Sequence, residues 1–214
     1  MRIIDMEAWP RREHYHFFST FEYLHFSLCA DLDITSFLPF LKNRKISFTI
    51  AIMYLIARTA NSIPEFHQRV REGNPIEYDM VHPSATILTK EDLFSFCTVL
   101  YNQNFIKFVK EAEEELVRVK AEPNLEEKIR DDSTLFMTSI PWVSFTSFMH
   151  PLKLNPADSV PRFAWGKYKQ TGEKTLMPLS VQAHHAVMDG LHVGKFYTEM
   201  QECLDAPESL LNDS

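Results

Sequence analysis

The stretch Val181-Gln182-Ala183-His184-His185-Ala186-Val187-Met188-Asp189-Gly190 places two adjacent histidines at the close of an apolar run, with an aspartate four residues after the second. From Met177 to His185 the odd positions are Met, Leu, Val, Ala and His185, and the even ones are Pro, Ser, Gln and His184. Such alternation reads as a strand with one apolar face. His185 continues that face; His184 points the other way. A histidine there is screened from bulk water and kept mostly neutral, with one ring nitrogen free to accept a proton, as a general base near pH 7 requires. Asp189 follows on a turn, or on the first turn of a helix over Gly190 to Met200, close to His185. Three readings fit these residues: a structural, hydrogen-bonded histidine; a metal site of His185, Asp189 and His192, whose helix Gly190 weakens; and acid–base catalysis.

Around this segment the chain alternates between helical and strand patterns. Asp33-Ile34-Thr35-Ser36 opens a short helix, and Phe48 to Asn61 is apolar nearly all round, a buried helix ended before Pro64. Phe105, Phe108, Val109, Ala112 and Leu116 recur at helical spacing opposite Glu111, Glu113, Glu114, Glu115 and Arg118, an amphipathic surface helix with a solvated charged face. Strand-like segments span Ala85 to Thr89, Leu93 to Leu100, Leu135 to Phe148, Phe163 to Tyr168 and Leu176 to His184. Pro141 demands a bulge or an edge within the third of these, because proline cannot donate to a ladder. The fold class is α/β, and without repeats, low-complexity tracts or Gly/Ser linkers residues 1–214 read as a single domain.

Composition removes several function classes. The 214 residues, 45% hydrophobic and 24% charged, are those of an ordinary globular chain, and the 17 Phe, 7 Tyr and 3 Trp are many for this length: core packing covers most of them, and a few such rings usually line a ligand pocket or a subunit interface. A net charge of -7 with dispersed Lys and Arg argues against nucleic acid. No run approaches the roughly 20 apolar residues of a membrane span, and Met1 to Glu7 does not read as a signal peptide. Cys29, Cys97 and Cys203 are far apart and read as reduced thiols, so a cytosolic location is expected. The G-x-S-x-G, G-x-G-x-x-G and G-x-x-x-x-G-K-[ST] motifs are missing, which removes support for a serine hydrolase, a Rossmann dehydrogenase and a P-loop enzyme.

The combination of segments resembles one known family. His184-His185-Ala186-Val187-Met188-Asp189-Gly190 is similar to the H-H-x-x-x-D-G signature of the chloramphenicol acetyltransferases, a signature with close relatives in dihydrolipoyl acyltransferase cores. Trp9-Pro10-Arg11-Arg12-Glu13-His14 resembles that family's W-x-R-R-E-H-F segment, and Pro141-Trp142-Val143-Ser144-Phe145-Thr146-Ser147-Phe148 its P-W-V-x-F-x-S-F. Gly166-Lys167-Tyr168 and Leu176 to Gln182 fit as well.

The resemblance implies a mixed sheet covered by helices in a two-layer sandwich, and a homotrimer with active sites between subunits. It also implies acetyl transfer from acetyl-CoA, a co-substrate rather than a bound cofactor, to the primary hydroxyl of chloramphenicol in a ternary complex, with no metal. His185 takes the general-base role, and Asp189 pairs with Arg11 to hold the histidine loop. Thr138 stands where the family has its oxyanion-donating serine, with Ser139 facing away. Phe17, Phe18, Trp142, Phe148 and Tyr168 match substrate-channel positions, each with core packing as the alternative. The chain departs from the family at Ala164, in place of a threonine, at Phe18, in place of a tyrosine, and at Ser47-Phe48-Thr49-Ile50, in place of K-F-Y-P. A related acyltransferase with another small hydroxylated acceptor and a non-catalytic ligand-binding homologue are the alternatives; a lipoyl acceptor is disfavoured by the lack of a lipoyl segment.

Overall fold

The computed structural model describes residues 1–125 and 132–211. Its buried centre is α3 (Phe48–Ser62), whose residues Ile50 to Ala57 are all inaccessible to solvent. The helix stops at Ile63 because Pro64 cannot extend it. Around it pack α2 (Phe37–Arg44), α4 (Phe105–Ala121) and α5 (Gly190–Asp205). Asn104 caps α4, its side-chain oxygen accepting the Lys107 N–H at 2.8 Å. Glu115 is not on the solvated face of α4: it is 8% exposed and binds the Arg118 guanidinium through both oxygens, at 3.0 and 2.7 Å.

The sheet comprises β2 (His25–Asp33), β5 (His82–Leu88), β6 (Phe94–Thr98), β7 (Thr134–Ile140), β8 (Arg162–Gly166), β9 (Lys169–Thr171) and β10 (Lys174–His184). Its order is β2-β10-β8-β7-β5-β6, with β9 on β10. β7 runs parallel to β5 and β8; the remaining pairs are antiparallel. Met177, Leu179, Val181 and Ala183 of β10 join the core under the helices. The even-numbered face carries Ser180, which shares a hydrogen bond with Ser27, and Gln182, which accepts the His150 N–H. Helices on one face of a mixed sheet give the expected two-layer arrangement.

Two further pieces position the site. A small antiparallel sheet of β1 (Arg2–Ile3), β4 (Asn74–Glu77) and β3 (Gln68–Arg71) flanks α1 (Arg12–Phe18). Tyr15 of α1 packs with Ala186 and Val187 in a separate apolar cluster that includes Trp9 and Phe18 at its margin. The N-terminal segment is thereby fastened to the histidine turn. The segment after β7 is not strand: β7 ends at Ile140, since Pro141 offers no N–H, and the chain then folds back over the sheet. Gly166 permits this close approach, because a Cβ there would lie 2.8 Å from the Val143 carbonyl and 2.9 Å from the Phe145 ring.

Candidate active site

β10 ends at His184, which still pairs with His25, and the chain turns at His185. The His185 N–H donates to the Leu24 carbonyl at 2.7 Å, while the Val187 and Met188 N–H groups close the turn on the His184 carbonyl. The imidazole of His185 stacks on Phe18 at 3.9 Å and 14°, with Phe26 tilted against it at 4.7 Å. Phe26 faces the core, so His185 does extend the apolar face. Its side chain is nevertheless 32% exposed, since the helices do not cover the strand end. The sequestered imidazole is His184, 3% exposed, with neither ring nitrogen paired.

Arg11 holds this turn with its whole guanidinium. Nη1 and Nη2 clasp the two carboxylate oxygens of Asp189, Nη2 also donates to the His185 carbonyl at 2.8 Å, and Nε donates to the Ala186 carbonyl at 3.1 Å. The bond from Arg11 holds the Asp189 carboxyl below its ordinary pKa, outweighing burial. Asp189 Oδ1 lies 3.2 Å from His185 Nδ1, a nitrogen that is buried and off-line for a hydrogen bond. His192, the third residue of the metal spacing, has other tasks. Its Nδ1 accepts the Asp189 N–H at 2.9 Å, which leaves Nε2 as the protonated nitrogen facing Glu65 at 3.3 Å. This bond caps α5, and burial lowers the His192 pKa.

Thr138 stands elsewhere. Its register partners are Thr86 on β5 and Ala164 on β8, and Ala164 is opposite Ser180 on β10. These four side chains form a row on the face away from the helices. Ser139, paired with the core residue Trp165, points the other way. His185 lies five residues beyond Ser180 and two strands from β7. At ~3.3 Å per residue and ~4.8 Å per strand the separation from Thr138 is about 19 Å, too far for one substrate atom to meet both. A cavity of about 660 Å³ lies on the helical side near Arg58, Glu199 and Cys203, away from both residues.

The predicted channel residues divide the same way. Phe17 and Phe18 pack edge-on at 5.2 Å beside His185. Phe148 is on the Thr138 side of the sheet, its carbonyl accepting from Ser27 at 2.9 Å and Ser180 at 3.0 Å. Trp142 is exposed in the turn after β7, and Tyr168 contacts Phe48 at the start of α3. Thr86 and Phe26 were invisible to sequence reading, since only the strand register shows what they touch.

The chloramphenicol acetyltransferase family model matches residues 1–201. The chain belongs to the chloramphenicol acetyltransferase family. It is 34% identical to a chloramphenicol acetyltransferase of Klebsiella sp over 205 residues, 94% of this chain and 93% of that protein. A solved chloramphenicol acetyltransferase superposes with a TM-score of 0.86 at 26% identity, covering 95% of this chain and 100% of that one. The dihydrolipoamide acetyltransferase of Azotobacter vinelandii superposes at 0.71 and 15% identity, over 93% of this chain and 88% of that one, a likeness of fold alone. Chloramphenicol acetyltransferases are acyltransferases, so the chain is assigned to acyl transfer. Among the described residues no helix is long and apolar enough to cross a membrane.

Proposed function

We propose that this chloramphenicol acetyltransferase homologue transfers an acetyl group from acetyl-CoA to the primary hydroxyl of chloramphenicol in a ternary complex, acting in the cytosol as a homotrimer. His185 is the general base. With Nδ1 buried against Asp189, Nε2 receives the hydroxyl proton as the oxygen attacks the thioester carbonyl. The proton then passes to the departing CoA thiolate, and Thr138 donates its hydroxyl to the oxyanion formed between these steps. Arg11 and Asp189 orient the His185 turn, while Phe17, Phe18, Trp142, Phe148 and Tyr168 line the approaches of the two substrates. The observation that carries this reading is the Arg11 clasp, which ties both carboxylate oxygens of Asp189 and the carbonyls of His185 and Ala186 to one side chain.

The separation of His185 from Thr138 supports a site completed by a second copy. Apolar surface is exposed near His185, at Phe17 and Phe21, and on the Thr138 face of the sheet, at Leu88 and Phe94. A contact between two unlike patches repeats around a ring until it closes, which suits a trimer.

Complementation tests this directly. His185→Ala and Thr138→Val copies, each inactive alone, are unfolded together and reassembled at equal amounts. Thiol release from acetyl-CoA with chloramphenicol should then return to about one quarter of the wild-type rate, because one interface in four unites an intact His185 with an intact Thr138. A mixture that stays inactive although mixed assemblies form places both residues in one chain's site and defeats the reading. Thiol release confined to a different hydroxylated acceptor would keep the chemistry and replace the substrate.

A further inference from the structure

We propose that Thr86 is a positioning residue that orients the Thr138 hydroxyl, an inference that rests on Thr138 being the oxyanion donor. β5 and β7 run parallel with Thr86 directly opposite Thr138. Residues so paired present their side chains on one face of a sheet. Thr86 Oγ1 donates to Thr138 Oγ1 at 3.2 Å. On the other flank Ala164 offers only a methyl group, and Ser180 beyond it is engaged with Ser27 and the Phe148 carbonyl, each at 3.0 Å. Within this row of four side chains, therefore, the polar support of Thr138 comes from β5.

A threonine hydroxyl has one hydrogen and two lone pairs. When Thr138 accepts from Thr86, one lone pair is occupied on the β5 side and the hydrogen of Thr138 is turned away from it, free for another acceptor. The rotor loses its alternatives before substrate arrives, which is the preorganisation that makes an oxyanion donor effective. A hydroxyl that accepts a hydrogen bond is also polarised into a stronger donor. Both effects grow as the carbonyl oxygen becomes negative, so they act on the transition state and leave ground-state affinity alone.

The experiment is a double-mutant cycle on the intact enzyme, measuring kcat and both KM values. Thr86→Val keeps the shape and removes the donor; kcat should fall roughly 3- to 10-fold, the scale of one neutral hydrogen bond, with KM values within about twofold. Thr86→Ser should restore the rate. Thr86→Ala, which adds no methyl group to the open face, should reproduce the loss and guards against a valine variant that fails to assemble. In a Thr138→Val background, already lowered about 10²- to 10³-fold, Thr86→Val should change nothing further. An unaltered kcat in Thr86→Val and Thr86→Ala, or the same loss in both backgrounds, overturns the proposal while Thr138 remains the donor. A Thr138→Val enzyme with the wild-type kcat overturns the donor assignment itself, whatever Thr86 does.

Discussion

His184 and His185 are neighbours in the chain and opposites in surroundings. His184 is enclosed with His25, whose ring meets it edge-on at 5.1 Å, and burial pushes its pKa down to about 4. His25 donates through Nε2 to the Asp158 carbonyl at 2.6 Å, and Asp158 is bound to Arg162 at 2.5 Å. His185 instead sits past the last ladder pair, stacked on Phe18 with Phe26 tilted against it, its peptide carbonyl held by Arg11. One residue separates an enclosed histidine from one that is partly open to solvent. The end of the strand makes that division, and residue type does not.

Replacing each in turn is the strongest test of the contrast. His185→Ala should lower kcat by about 10³-fold, within the range for a positioned proton acceptor, while circular dichroism and assembly size stay as in the wild type. His184→Phe should retain kcat within a few-fold. An inactive His184→Phe enzyme beside an active His185→Ala one would reverse the assignment.

Asp189→Ala comes next. It strands the Arg11 guanidinium, only 11% exposed, and should cost about 2–4 kcal/mol of stability in thermal or urea unfolding together with roughly 10²-fold in kcat/KM. Arg11→Lys should show much the same loss, because an ammonium cannot serve two carbonyls and both carboxylate oxygens at once. A lysine variant with wild-type activity would reduce the clasp to an ordinary ion pair.

Acid should act through the buried histidines, His184 among them. Burial lowers the pKa of His184 and of His150 to about 4 from 6.5, and that of His25 downward as well. As pH falls below about 6.5 the unfolded chain takes up protons that the folded one refuses, so stability is lost from there to about pH 4, where the folded histidines protonate too. His184 alone should account for on the order of 2–3 kcal/mol of that loss. Urea unfolding across this window should show a shallower decline in His184→Phe; an unchanged decline would mean that His184 titrates alike in both states. The smallest effect is expected at Phe17, an exposed ring beside Phe18. Phe17→Ala should raise the acceptor KM a few-fold and alter stability by less than about 0.5 kcal/mol, measured by steady-state kinetics and thermal melts.

By itself the sequence determined those features that repeat over a few residues. The all-round apolar run of α3, the stripe of α4, and the alternation of β10 up to His185 are periodic, and each formed the element its period requires. Asp189 four residues on, heading α5, followed from the same local geometry. Arg11 was legible only through family resemblance, because nothing near it in the chain announces a carboxylate 178 residues away. Tertiary structure decided the rest. β2 alternates too, with Phe26, Leu28, Ala30 and Leu32 on one face, but its place beside β10, where His25 and Ser27 meet Asp158, Ser180 and Phe148 from distant segments, comes only from the fold. Pro141 ended β7 instead of bulging it, and Glu115 went inward to Arg118. The pairing of Thr86 with Thr138, and the 19 Å or so between Thr138 and His185, depend on strand order and register. Register is a choice among pairings of segments far apart in sequence, made by the shared burial of their faces, and a one-residue slip would turn every such contact to the other side.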